Sequence, residues 1–246
     1  MYNFFSEKPK NNCRYEITGN DHNHIANVLR MGVGEQFLIS FDGVSDLCEI
    51  ESITDTSVIA IVKSENYNDT SLPINLVLFQ GLPKSDKMEL IIQKAVELGV
   101  DQIVPVQMAR SVVKLLGDKK DNKITRWQAI AESGAKQSKR NAIPKVNPVV
   151  SFKQALELAK ELDLLILPYE NALGMQATKD ALSQIKSGMS VGVFIGPEGG
   201  FEQSEVDLAE SVGAITVSLG KRILRAETAS ITALSMLMLH AEMNLE

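Results

Sequence analysis

Hydrophobic positions change rhythm near residue 70. Beyond it, short apolar runs at 75–80, 102–106, 164–167, 191–195 and 215–219 have strand length and end in glycine, proline or polar residues. Between and after them, 87–98, 122–137, 152–161, 178–185, 202–212 and 227–243 read as helices. In 87–98 the apolar face is Met88, Ile91, Ile92, Ala95 and Leu98, with Ser85 or Asp86 as cap and Gly99 as terminator. The last helix carries Ile231, Leu234, Leu237, Met238 and Ala241 on a broad stripe. Alternating strands and helices predict an α/β domain over 73–246 with a mainly parallel sheet. Before the change, runs at 3–6, 14–17, 36–40, 46–50 and 57–62 are separated by turn signals such as Asp42-Gly43. Only 22–31 looks helical there, with Ile25, Val28 and Leu29 on one face, so 1–70 predicts a small β-barrel. The polar, aperiodic stretch 65–72 is the expected linker.

The segment 191–230 concentrates the chemistry. It reads as strand, glycine loop, helix, strand, glycine loop, helix: VGVFI-GPEGG, a helical stretch, ITVSL-GKRILR and the last helix. Two neighbouring parallel strands would bring both loops to the carboxyl edge of one sheet, where open α/β sheets bind ligands. Gly196, Gly199 and Gly200 let backbone groups approach a ligand without an intervening Cβ. Neither a G-x-x-x-x-G-K-[ST] loop nor a G-x-G-x-x-G helix opening is present. Glu198 on one loop, with Arg222, Arg225 and Glu227 on or after the other, suits a ligand of mixed charge better than a bare pyrophosphate.

Charge changes the picture in one region. The net charge is −6, yet 108–145 holds ten basic residues against three acidic ones. Such asymmetry is the footprint of a local polyanion site on an acidic body. An exposed, solvated helix face would have the same composition. Cys13 and Cys48 match no metal or redox spacing, and His22 and His24 would point to different sides of a helix, so no metal is expected. No apolar run is long enough for a membrane span and 1–10 lacks a secretory pattern, which predicts a cytoplasmic protein.

The motifs IGPEGGF and LG-x-RILR-x-ETA, with GLPK-x-DKME-x-IIQKA-x-ELGV at 81–100, RSVVK at 110–114 and W-x-x-IA-x-x-x-x-x-QS-x-R at 127–140, resemble a known family. It is the ribosomal RNA small subunit methyltransferase E family, 16S rRNA uridine-N3 methyltransferases of the SPOUT class. The resemblance implies a PUA-like RNA-binding β-barrel domain (1–70) followed by a SPOUT α/β domain (73–246) with a C-terminal trefoil knot. It also implies a homodimer packed through helices near the C-terminus, and one uridine methylated on the assembled small ribosomal subunit. Ser85 stands where the family has Gly, Lys221 where it has Pro, Ala226 where Thr is commoner, and Ser133-Gly134 where Glu-Ala is usual. Gly134 should weaken its helix by up to about 1 kcal/mol relative to Ala.

S-adenosylmethionine is the implied methyl donor, held by loops after 164–167, 191–195 and 215–219. The expected donor-binding residues are Leu167, Glu170, Gly196, Glu198, Gly199, Leu219, Gly220, Ile223, Leu224 and Thr228, with Ile223 and Leu224 flanking the adenine. Uridine N3 is a poor nucleophile until its proton leaves, so the site needs a base or a cation stabilising the developing anion. Arg225 is the expected cation, and Glu198 or Glu227 the base; a carboxylate at Glu227 would also stabilise a helix start. Arg30, Arg110, Lys114, Lys139, Arg140 and Arg222 are the expected RNA contacts. Two other readings fit less well. Ribose 2′-O methylation is disfavoured by RILR-x-ETA and the N-terminal barrel, and a non-catalytic RNA-binding factor by two intact glycine loops.

Overall fold

The computed structural model describes residues 1–8, 10–113, 118–172 and 174–245. The chain divides into two compact units, Met1–Ser71 with Ala135–Ile143, and Leu72–Gly134 with the remainder from Pro144. The assignment of Ala135–Ile143 to the first unit was not visible as any shift in composition.

In the first unit, strands β1 (Asn3–Phe5), β2 (Arg14–Thr18), β3 (Gln36–Phe41), β4 (Val44–Ile53) and β5 (Ser57–Ser64) form a sheet of order β1-β3-β4-β5-β2. Only the β1–β3 pair is parallel. Asp42 (φ 50°) and Gly43 (φ 78°) make the β3–β4 turn, both in the left-handed conformation a two-residue hairpin needs. Phe4, Ile25, Phe37, Ile39, Ile50 and Val58 fill its core. Where one helix was expected at 22–31, a short α1 (Gly19–Asn23) passes into a π-helical turn, His24–Val28. Ile25 is buried by that turn, whereas Val28 is exposed. Histidines 22 and 24 serve packing: His22 Nε2 lies 2.9 Å from Thr54 O, and His24 meets the Phe4 ring edge-on.

The second unit contains β6 (Asn75–Gly81), α2 (Lys87–Glu97), β7 (Gln102–Gln107), the short β8 (Lys145–Val146) and β9 (Val150–Ser151), and α4 (Phe152–Ala159). It continues with β10 (Leu164–Pro168), α5 (Gln176–Ser183), β11 (Ser190–Ile195), α6 (Gln203–Ser211), β12 (Ala214–Val217) and α7 (Ala226–Asn244). Helix α3 (Asp118–Ser138) starts in this unit and ends in the first. The sheet runs β12-β10-β11-β6-β7-β8, with β9 also on β7, and every pairing is parallel. Contrary to the simplest reading of 191–230, β11 and β12 are not neighbours, because β10 lies between them. Both still end at one edge, and β10 brings a third loop to it.

Strands buried on both faces read as continuous apolar runs, and β6, β10 and β11 do so. Phe79 and Phe194 stack with ring centroids 4.4 Å apart, and Phe152 meets Phe194 edge-on. Helix α4 starts with a capping box: Ser151 Oγ accepts the Gln154 N–H (3.3 Å) and Gln154 Oε1 accepts the Ser151 N–H (2.9 Å). Helix α2 lacks such a cap. Asp86 occupies the N-cap position without a side-chain bond, and Ser85 has φ 56°. The reason lies in the site.

Candidate active site

Loops following β10, β11 and β12 surround a cavity of about 490 Å³ at the carboxyl edge of the sheet. Glu170 comes from the first loop, Gly196–Gly200 from the second, and Leu219 to Arg225 from the third. Lys87, at the start of α2, completes the wall.

Two of these loops are held from behind. Thr178 on α5 donates its hydroxyl to Ser218 O (2.9 Å) and accepts the Ser218 N–H (3.1 Å), fixing the end of β12. Glu205 on α6 accepts the Glu202 N–H (3.0 Å) and the Ala109 N–H (2.9 Å), which joins the glycine loop's exit to the segment after β7. Arg110 from that segment donates to Gly199 O at 3.0 Å. A Cβ added at Gly199 would come within 2.9 Å of Arg110 Cβ, so this glycine makes room for Arg110 rather than for a ligand. Gly81 has the same kind of role, since its Cβ would lie 2.7 Å from Pro197 N. Gly200 (φ 66°) and Gly220 (φ 109°) are needed for conformation.

Polar chemistry gathers on one side of the cavity. Lys87 Nζ is 3.1 Å from Glu198 Oε1 and 3.2 Å from Glu227 Oε2. The Lys84 N–H also reaches the Glu198 carboxylate, at 3.0 and 3.2 Å. Burial pushes the Glu198 carboxyl up, but its own N–H, the Lys84 N–H and the Lys87 ammonium together hold it below the ordinary value. Glu227 is lowered first by its own N–H in the opening turn of α7, against burial, and further by Lys87 and Arg225. The Lys87 ammonium is raised by Glu198 and Glu227. Two carboxylates lowered in this way are weak proton acceptors, which counts against the expected base role of either. Arg225 precedes α7, is exposed, and faces the cavity.

The cavity collects most of the expected donor-binding residues: Glu170, Gly196, Glu198, Gly199, Leu219, Gly220, Ile223 and Leu224. Two fall outside its lining. The Leu167 side chain is fully buried in the core beneath the sheet edge, because it points to the apolar layer of β10. Thr228 is exposed on α7, between the lining residues Ala226 and Ala229 but not itself part of the lining. Ile223 is not core either; it is 87% exposed.

The expected RNA contacts scatter. Arg30 (φ 54°) and Lys139 (φ 59°) are exposed in the first unit, and Arg222 faces the cavity. Arg140 is 6% exposed, because the chain turns at Lys139 and sinks into the first unit, where Asn3 Nδ2 donates to its carbonyl. It is therefore not displayed for phosphate contact. Arg110 is engaged with the glycine loop, and Lys114 lies outside the described residues. Lys87 and Gly81 are not among the expected site residues although GLPK-x-DKME contains both; that motif carries the family resemblance and the start of α2, and nothing in its spacing marks a cavity wall. Among the described residues no group of three or more His, Cys, Asp or Glu is arranged to hold a metal, and no helix is long and apolar enough to cross a membrane.

A family model described as an RNA methyltransferase domain matches residues 70–238, and one described as an RNA methyltransferase PUA domain matches residues 17–63. The chain is 38% identical over 251 aligned residues to the ribosomal RNA small subunit methyltransferase E of Bacillus subtilis, covering 99% of this chain and 98% of that protein. It belongs to the ribosomal RNA small subunit methyltransferase E family. The Mesomycoplasma hyopneumoniae member is 33% identical, with 96% of this chain and 98% of that protein covered. A crystal structure of the Neisseria gonorrhoeae member bound to S-adenosyl methionine superposes with a TM-score of 0.83, at 29% identity and 97% coverage of each chain. The fold is accordingly a PUA-like domain followed by an RNA methyltransferase α/β domain with a parallel sheet.

Proposed function

We propose that this small-subunit methyltransferase transfers the methyl group of S-adenosylmethionine to N3 of one uridine in 16S rRNA, on the assembled small ribosomal subunit in the cytoplasm. The observation carrying this reading is the convergence of three carboxyl-edge loops on one cavity, with Arg225 at its rim. The residues suit such a donor: glycine-rich backbone can approach it closely, and the half-buried Leu224 and exposed Ile223 offer apolar cover for an adenine ring. When bound, S-adenosylmethionine supplies the electrophilic methyl group. Loss of the N3 proton leaves negative charge on the uracil N3 and carbonyl edge. The Arg225 guanidinium, which stays protonated, stabilises that charge and thereby promotes loss of the proton. Glu198 lines the wall and, like Glu227, is tied to Lys87, and the N3 proton leaves to solvent.

Arg30 and Lys139 are proposed to meet rRNA phosphates. The chain is proposed to work as a homodimer through α7, whose Leu239 (47% exposed) and Met243 (72% exposed) leave apolar surface open. Two measurements test the reading. Calorimetry should show S-adenosylmethionine binding, and nucleoside mapping of 16S rRNA from a deletion strain should show one N3-methyluridine missing. No change in 16S N3-methyluridine would overturn the assignment.

A further inference from the structure

Lys87 sits where two walls of the cavity meet. Its ammonium bridges Glu198 on the glycine loop and Glu227 in the first turn of α7, at 3.1 and 3.2 Å. The preceding residues are shaped around the same carboxylate: Ser85 takes a left-handed φ of 56°, and the Lys84 N–H donates to Glu198. This explains why α2 begins without a side-chain cap. Its entry segment is committed to Glu198 instead. All three charged side chains are partly buried, at 31%, 25% and 16% exposed for Lys87, Glu198 and Glu227. Without a cation between them, two such carboxylates repel and the walls separate.

We propose that Lys87 is a positioning residue for the methyl donor: it ties the glycine loop to α7 and sets the spacing of the two walls before the donor enters. The inference rests on reading the cavity as the donor site. A site already at its bound spacing binds more tightly because no ordering cost is left to meet. Other charged groups line the cavity or touch its wall: Glu170 after β10, Arg110 after β7, and Lys221, Arg222 and Arg225 after β12. Arg110 is occupied by Gly199 O, and Arg225 helps keep Glu227 ionised. Among the described residues Lys87 is the cation paired with both carboxylates.

The test is S-adenosylmethionine affinity by calorimetry from about pH 5 to about pH 8, a range in which paired carboxylates can titrate, for wild type, Lys87→Met and Lys87→Arg. Thermal melts confirm folding. Lys87→Met should raise Kd about tenfold at neutral pH. That loss should shrink toward the acid end, where one carboxylate takes up a proton and shares it with the other. Lys87→Arg should recover most of the affinity, and wild type should stay flat. In Lys87→Met/Glu227→Gln, which relieves the repulsion and helps the variant fold, the pH dependence should disappear. Wild-type affinity in Lys87→Met, a loss equal at every pH, or no recovery with Arg would overturn the proposal. Absence of donor binding by the wild type would overturn the reading of the cavity instead.

Discussion

Single residues near the cavity are constrained by clearance as much as by chemistry. Gly81 lets the end of β6 pass under the glycine loop, and an added Cβ would lie 2.7 Å from Pro197 N and 2.8 Å from Met108 Sδ. Backbone cannot yield as a flexible side chain can. Gly81→Ala should therefore lower stability by about 1–3 kcal/mol, read as a drop in Tm. Ser85 is the opposite case. A side chain at φ 56° is strained, and the family's usual glycine would relieve it. Ser85→Gly should raise stability by up to about 1 kcal/mol in a denaturant titration, the gain being trimmed by a freer unfolded chain. Gly134 adds clearance to the expectation from helix propensity. A Cβ there would stand 3.2 Å from Val96 Cγ1 on α2, so the helix gain from Ala is set against a tight contact with Val96.

At the scale of elements, helix starts divide between local caps and long-range commitments. Helix α4 uses its own Ser151 and Gln154, so Ser151→Ala should cost about 1 kcal/mol in a thermal melt and leave donor affinity unchanged. The starts of α2 and α7 are instead bound to each other through Lys87, Glu198 and Glu227. The sign of their pH dependence follows from the shifts. The two carboxylates lie below their ordinary 4.5, so their pairing stabilises the fold above that pH and is lost as pH falls through their folded values. Lys87 lies above its ordinary 10.5, so its contribution is present below that pH and is lost as pH rises through its folded value. Tm measured against pH should then fall less steeply at the acid end in Lys87→Met than in wild type. Equal acid limbs would show that the network adds nothing to stability.

On the scale of the whole molecule, α7 carries apolar residues on both its buried and its exposed sides. Its buried side, including Leu234 and Leu237, belongs to the core, and Leu239 and Met243 remain outside it. A helix of that composition calls for cover on both sides. Leu239→Glu/Met243→Glu should convert a dimer to a monomer in sedimentation equilibrium with little change in Tm at matched monomer concentration. A wild type that sediments as a monomer would remove the dimer proposal.

The sequence by itself determined the elements and the placing of two glycine loops at strand ends. Apolar runs and helical spacing are local properties, so strands β6, β7, β10, β11 and β12 could be read from them to within a few residues. The two glycine loops were legible because apolar runs end in them, whereas the role expected of Arg225 came with the family resemblance. Tertiary structure alone decided that β10 separates β11 from β12, that Ala135–Ile143 belongs with the first unit, and that Arg140 is buried while Arg110 braces Gly199. It also decided that Lys87 joins Glu198 to Glu227. These are pairings between residues tens to more than a hundred positions apart. No periodicity records them, because they depend on which surfaces meet once the strands are ordered in the sheet.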